Sequence, residues 1–494
     1  MQYLIAFGGV FGIIGGGIPR ARKTLSRFDR RVWLLLFAML AFRFGHGLYF
    51  PFSSIYFHNV LGIPLSLVGV GLAVLATASV LSGLVAGPLT DRYGRKPVML
   101  TALVGSSASF FAFSLVGGFA GYLAVSAGHG FVGWAMFEAS RNAMVADVTP
   151  LGMRSRAYGL VRVGGNVGWS LGPMVAGLVS AAAGSSGGVY PRLFMGTSVL
   201  TALVALVLAL TLKESRPVLK EPAESLGTPG RLRAALSDGP FLVLLGVGVL
   251  LYYVFTQDWQ ALPVYAKNFV GVADGQIGFF LGANGLMVIL FQLPVSYLID
   301  RGSRVVALFA GAALFAASAA TLLLSESFLG IFVAFVSFFT LAEMVLEVAG
   351  ASLAAELAPA RLRGTYLGLF GACFGVACGF SPIVAGTLLE ARLPALIWTI
   401  QLAASASAAV GLGVLALLRR RRYITGAEDQ DGKVVPRIAL LEVQDDAFDP
   451  PGQRHRVAAG AGAEEMAQLA FAEEVAVGGA RLGDAVGVED EGLA

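Results

Sequence analysis

Charge is scarce in this chain. Asp, Glu, Lys and Arg make up 13% of its 494 residues, about half of what a soluble domain carries, so water is not the solvent for most of it. Cysteine and histidine are also scarce, at 2 and 4 residues. Cys373 and Cys378 are five apart, with no CxxC and no His cluster beside them. That excludes the usual metal spacings and points to two small buried thiols. No G-x-S-x-G, H-E-x-x-H or Walker A segment is placed for chemistry, which points away from a membrane enzyme or an ATP-driven pump. No catalytic residue, metal, cofactor or nucleic-acid partner is expected.

What fills the space is apolar. The chain is 56% hydrophobic, with a mean hydropathy of +0.75, and its 64 glycines suit close helix packing in lipid. Runs long enough to cross about 30 Å of hydrocarbon fall at Val32–Tyr56, Leu65–Leu89, Val98–Gly117, Phe119–Val145, Tyr158–Ala182 and Arg192–Leu212. After a polar stretch they resume at Phe241–Tyr265, Gly275–Ile299, Arg304–Leu324, Phe328–Ala355, Tyr366–Leu389 and Pro394–Leu418. The expected fold is an all-α membrane protein of twelve helices in two six-helix halves. Its parts are a terminal segment (1–31), a first half (32–212), a linker (213–240), a second half (241–418) and a tail (419–494) poor in apolar periodicity and expected to be disordered.

Alternate loops are rich in Lys and Arg. One side receives Arg20–Arg31, then Arg92, Arg95 and Lys96, then Arg154 and Arg156, the linker, Arg301 and Arg304, Arg361 and Arg363, and Arg419–Arg422. The other side holds little more than Arg192, Lys267 and Arg392. The positive-inside rule then puts both termini and the linker in the cytoplasm of a multi-pass inner-membrane protein. Residues 1–19 are apolar but lack a basic n-region and a cleavage site, so an interfacial segment or an upstream start is expected rather than a thirteenth span.

The chain also matches itself at an offset of 209 residues. Asp91, Arg92 and Arg95 recur as Asp300, Arg301 and Arg304, and Asp147 as Glu356. Glu138 recurs as Glu347, Gly159 as Gly368, Pro173 as Pro382, Gly177 as Gly386 and Asn59 as Asn268. One gap-free register over five helices means two repeated halves, the construction of transporters whose substrate site lies between halves near the bilayer midplane.

The loop after the second span reads Gly87-Pro-Leu-Thr-Asp91-Arg92-Tyr-Gly94-Arg95-Lys96. This resembles the signature loop of the major facilitator superfamily nearly position for position, and Ser296–Arg304 sits where that family keeps a degenerate second copy. The resemblance implies a gate in which Asp91 docks at the start of the eleventh helix and Arg95 pairs with Asp147. The fifth span carries Gly159, Gly168, Gly172, Pro173 and Gly177, similar to the antiporter signature of the family's drug:proton (multidrug efflux) branch. The plainer account of these glycines is small-residue packing around a proline kink. One departure stands out: Ser126 and His129 occupy positions where that branch often has Arg and Gln, so its fourth-helix Arg cannot be carried over.

Ionisable residues within the spans are Arg43, His46, His129, Glu138, Arg141, Arg162, Asp258, Glu343 and Glu347. Each such charge costs about 2.5–3.5 kcal/mol on insertion scales, so they face water, a partner or a pathway. By depth Arg43 can pair with Glu138 or Glu347, and Glu343 and Glu347 share a helix face at i, i+4. Glu343 is the first choice for proton coupling, then Asp258, then Glu138, with static ion pairs an equal alternative for Glu138 and Glu347. The histidines suit packing. Tyr49, Tyr252, Trp259 and Phe339 are expected to line the cavity. The reading is a monomeric secondary transporter in the lipid bilayer, binding a small lipophilic molecule and protons and exporting by alternating access. The alternative is an uptake symporter or facilitator for a metabolite.

Overall fold

Hydrocarbon offers no hydrogen bonds to a bare peptide group, so a chain crossing it must satisfy its backbone within each segment. The computed structural model describes residues 28–150, 153–184, 187–215, 228–359, 362–424, 427–428 and 434–435. The stretch 1–19, most of the linker and most of the tail lie outside them. The chain divides into a unit Met1–Arg421 and a unit Arg422–Ala494. In the second unit, Ala427–Glu428 pairs antiparallel with Val434–Val435. The first unit holds the helices.

Among the described residues, twelve helical rods run in order. They are α1 (Arg30–Val60), α2 (Leu65–Tyr93), α3 (Arg95–Leu115), α4 in two pieces (Phe119–Val132 and Trp134–Val148), α5 (Arg154–Ala182) and α6 (Val189–Thr211). Then come α7 (Gly239–Val270), α8 (Asp274–Arg301), α9 (Arg304–Leu324), α10 (Phe328–Leu357), α11 (Arg363–Glu390) and α12 (Pro394–Arg419). Ten are long and apolar enough to cross a membrane; the other two are the interrupted α4, and α5, whose first three turns carry Arg154, Arg156 and Arg162. Leu210 and Leu324 are 77% and 88% exposed, as side chains meant for lipid are. The expected spans fall within a few residues of these rods. Two features depart from expectation: a short helix, Thr228–Leu236, lies in the linker, and α4 breaks at Gly133.

The break has a local cause. Gly133 takes φ −90°, ψ −115°, and a Cβ there would lie 2.4 Å from the His129 carbonyl oxygen. Only glycine fits. Elsewhere the winding widens to π-type turns at Tyr56–Val60 and Ala266–Val270, closing α1 and α7 alike, and twice within α10, at Val333–Phe339 and Leu346–Gly350. Such turns shift every later side chain around the helix and recur at functional sites.

Glycine sets the helix contacts. On α5, Gly168 and Gly172 lie against α1, where added Cβ atoms would stand 2.1 Å from Leu40 O and 2.4 Å from Phe44 O. Gly177, further along α5, meets Gly278 of α8, and Gly69 and Gly386 bring α2 and α11 together at Pro382 and Leu65. The last three contacts join the two halves, and all lie toward the Arg-poor side. There Asn59 and Asn268, equivalent through the repeat, bond to each other twice, at 2.8 and 3.0 Å. Toward the Arg-rich side no ion pair among the described residues joins the halves beyond Arg162–Glu347, at 3.7 Å. The contacts between the halves gather at the Arg-poor side and close it, while Arg162 and Glu347, 59% and 37% exposed, mark the Arg-rich side as the open one.

Replacing Gly168 by Val forces α1 and α5 apart. Overpacking of this kind costs about 1–3 kcal/mol, so Gly168→Val is expected to lower the thermal unfolding midpoint in detergent. Gly159→Val, at a glycine with nothing within 4 Å of its Cβ position, is expected to leave it unchanged.

Candidate functional site

Between the halves, at mid-membrane depth, α1, α4, α5, α7, α8 and α10 bring together three guanidinium groups and three carboxylates. The Arg43 guanidinium lies 3.8 Å from the Trp134 ring centre and 5.4 Å from that of Trp169, a cation–π setting worth about 0.5–2 kcal/mol. The Gly133 break brings Trp134 to that position. Trp169 of α5 meets Trp259 of α7 at 5.3 Å between ring centres, and Trp259 meets Phe335 of α10 at 5.3 Å. An aromatic bridge therefore spans the two halves.

The charges sort into pairs and singles. Glu138 pairs with Arg141 on its own helix, and Glu347 with Arg162 across the halves. The Arg162 and Glu347 side chains are 59% and 37% exposed, and charges so placed at this depth face water rather than lipid. Arg43 and Glu343 have no ion-pair partner within 4 Å among the described residues. Glu343 instead accepts from Asn284 Nδ2 of α8 at 2.9 Å, and the same amide nitrogen lies 2.9 Å from Thr340 Oγ1.

Several expectations are corrected here. Arg43 pairs with neither Glu138 nor Glu347, because the Trp134 ring covers it and both acids have nearer arginines. Glu343 and Glu347, four residues apart on α10, take different partners, Asn284 of α8 and Arg162 of α5. Asp258 does not face the space between the halves. It is fully buried and takes a hydrogen bond from Gln401 of α12 at 2.7 Å, whereas the adjacent Trp259 meets α5 and α10. Tyr49 packs inside the first half among Phe110, Phe113 and Phe194. Phe339 is buried behind Phe255 and Phe335. Tyr252 packs its ring against Phe370 and Phe374 of α11, and its hydroxyl reaches Glu347 of the Arg162–Glu347 bridge; of the four aromatics, Trp259 and Tyr252 reach the space between the halves. His46 and His129 stack 5.7 Å apart within the first half, both against Phe110.

At the Arg-rich end the signature loop forms a network. Arg95, 7% exposed, donates from Nε to Asp147 Oδ2 at 2.8 Å and from Nη1 to Thr90 O at 3.1 Å. Gly94 turns with φ +103°, which favours glycine. Asp91 does not reach α11: its side chain is 59% exposed and its partner is Arg95, at 3.3 Å. The carboxylate on a helix N-terminus is instead Glu214 from the linker, accepting from Arg95 N and Lys96 N at 3.0 Å each, where the helix dipole favours an anion. Gly87 meets nothing within 4 Å, and Arg92 lies over the neighbouring Tyr93 ring. The second copy repeats the pairing, with Arg304 4.0 Å from Glu356, while Arg301 covers Tyr297 and Asp300 is exposed.

The Arg-poor end carries a cluster that composition did not reveal. Asp274, at the start of α8, is fully buried. It accepts from Ser180 of α5, from Tyr190 OH of α6 at 2.8 Å and from Lys267, which also donates to Tyr190 OH at 2.8 Å. Ser180 and Tyr190 belong to one half, Lys267 and Asp274 to the other. A buried acid with three donors is a clasp between halves. The sequence signal was the one Lys–Asp pair flanking a short Arg-poor loop.

Known proteins share this architecture. The family model for the Major Facilitator Superfamily matches residues 35–273 and 258–451. A Na(+), Li(+), K(+)/H(+) antiporter of Planococcus maritimus is 26% identical over 64% of this chain and 80% of its own. Multidrug resistance protein MdtH of Edwardsiella ictaluri is 25% identical over 71% and 84%. The crystal structure of the nucleoside transporter NupG superposes with a TM-score of 0.65 at 15% identity, covering 78% of this chain and all of that one.

Removing one partner of a buried pair costs about 3–5 kcal/mol. Asp274→Ala is therefore expected to loosen the Arg-poor closure, seen as faster hydrogen–deuterium exchange in residues 266–277 than in the wild type. Unchanged exchange there would mean the clasp does not hold the halves.

Proposed function

This chain belongs to the Major Facilitator Superfamily, and within it we propose a proton-coupled exporter of small lipophilic molecules that works by alternating access. It is a multi-pass membrane transporter, not an enzyme. The observation that carries the finer reading is Glu343, a mid-membrane carboxylate held by Asn284 and forming no ion pair among the described residues. Protonation removes its charge and alters its bond with Asn284, so a proton changes what this face of the cavity offers a substrate.

Taking the Arg-rich side as cytoplasmic, the open side faces the cytoplasm, from which a cargo enters. Trp169 and Trp259 give it aromatic surface from both halves, and Arg43 and Glu343 supply one charge of each sign. Closing that side would bring Asp91 to the start of α11, as the family resemblance implies, while the Asp274 clasp and the Gly177–Gly278 contact part. Arg95 and Asp147 then keep the loop in shape, and Glu138–Arg141 is a standing ion pair within α4. The likeness to a multidrug resistance protein supports export. The glycines of α5 support it through the family's antiporter signature, although in this conformation Gly168 and Gly172 serve packing.

A second reading, exchange of an alkali cation for protons, is favoured by the likeness to the Planococcus maritimus antiporter. Flux in proteoliposomes separates the two. A pH gradient is expected to drive lipophilic dyes, and Glu343→Gln to cut that flux about tenfold or more, equivalent to about 1.4 kcal/mol or more. Dye movement indifferent to both gradient and variant would overturn the proposal, and dissipation of the gradient by added sodium without dye movement would establish the second reading.

A further inference from the structure

Asp258 lies inside the second half, and its bond with Gln401 leaves something unfinished. Oδ1 accepts from Gln401 Nε2 at 2.7 Å. The other carboxyl oxygen, Oδ2, and the amide oxygen, Gln401 Oε1, are both buried without a partner. Both are acceptors, and a buried polar atom left bare costs about 1–3 kcal/mol. One hydrogen answers both needs: a carboxyl protonated on Oδ2 can donate to the amide oxygen while Oδ1 takes the amide N–H. Turning the amide over would not remove the need. Its N–H would then reach Oδ2 and its oxygen would face Oδ1, leaving the same kind of acceptor pair to be joined by a proton.

The surroundings supply no cation, and their neutral groups leave Oδ2 without a bond. α12 contributes Gln401 and, one turn on, Ser405, whose hydroxyl is buried without a partner. α7 itself contributes Tyr253 and Gln257, both neutral, whose hydroxyl and amide atoms are likewise buried without a partner. The hydroxyl on α11 facing α7, Ser381, is bonded to Thr256 at 2.8 Å, and Glu343 on α10 is held by Asn284. Among the described residues no Lys, Arg or His forms an ion pair with Asp258. A bare carboxylate in so dry a place is neutralised rather than tolerated.

We propose that Asp258 holds a proton shared with Gln401, an occluded proton-binding site inside this half and distinct from Glu343. In the open-to-the-Arg-rich-side conformation this proton has no path to water, since both side chains are fully buried. Asp258 lies nearer the Arg-poor end of α7, so the proton exchanges when that end opens. The proposal does not rest on the exporter reading: an occluded proton is present whatever the cargo.

Infrared difference spectroscopy of the full chain in lipid vesicles tests it. At neutral pH the wild type is expected to show a protonated-carboxyl C=O band that Asp258→Asn removes and Gln401→Leu moves to higher frequency, as a lost hydrogen bond requires. Asn has nearly the shape of a protonated Asp, so the first variant keeps the fold. Should it fail to fold, the Gln401→Leu shift decides alone. Absence of an Asp258-dependent band at neutral pH would overturn the proposal. So would loss of the band on adding sodium at constant pH, which would make the occupant an alkali cation.

Discussion

The closeness of α5 to two partners at once governs the rest of this structure. Lipid tails are as apolar as leucine, so helices in a bilayer gain little by burying one another. Association depends on packing and on polar contacts. Glycine permits both, because without a Cβ two backbones approach until their dispersion contacts are dense. Gly168 and Gly172 direct this closeness to α1 within one half; Gly177 directs it to α8 of the other. One rod is thus fixed along most of its length and movable at its end.

From that arrangement comes the division of labour among charges. Where the halves touch, at the Arg-poor end, a buried acid, a lysine, a tyrosine and a serine satisfy one another, and the carboxylate is sealed from water. Where they part, the pairs that persist lie within one half, whether buried, as Arg95–Asp147 is, or exposed, as Arg304–Glu356 is. Between these zones Arg162–Glu347 bridges the halves in a wet setting, where an ion pair is weak. A dry clasp and a wet bridge differ in strength, and that difference lets one end hold while the middle stays adjustable.

Much of this is legible in residue order. Hydropathy places the spans, the repeat places the halves, and the signature loop announces the Arg95–Asp147 pair. Depth along a helix is readable as well, since it needs only a residue count. Direction around the helix is not. Arg43, Glu138, Asp258 and Glu347 have plausible depths in the sequence but other partners in the fold. Arg43 and Asp258 lie on unbroken stretches of α1 and α7, where the facing Trp134 and Gln401 decide. Around Glu138 and Glu347 a backbone break at Gly133 and π-type turns in α10 alter the helix. Neither leaves a mark that periodicity detects. Asp274 escapes for another reason: at the first residue of a helix, sequence cannot tell an acid in water from one sealed by the facing half. Glu214 escapes because it lies in the linker, where a helix-capping carboxylate resembles any other polar residue.

The mutual bond of Asn59 and Asn268 carries a consequence of its own. They are the same position in the two repeats, so a contact between them must sit on the axis relating the halves. A carboxylate or an ammonium would repel its own copy at such a point. A carboxamide is self-complementary, presenting one donor and one acceptor edge, and so bonds to its duplicate. That is the chemistry of an isologous dimer interface. A half-length chain carrying a single copy of this asparagine would already possess the contact needed to close a symmetric pair, so at this point the joined protein keeps the form of a dimer of identical subunits.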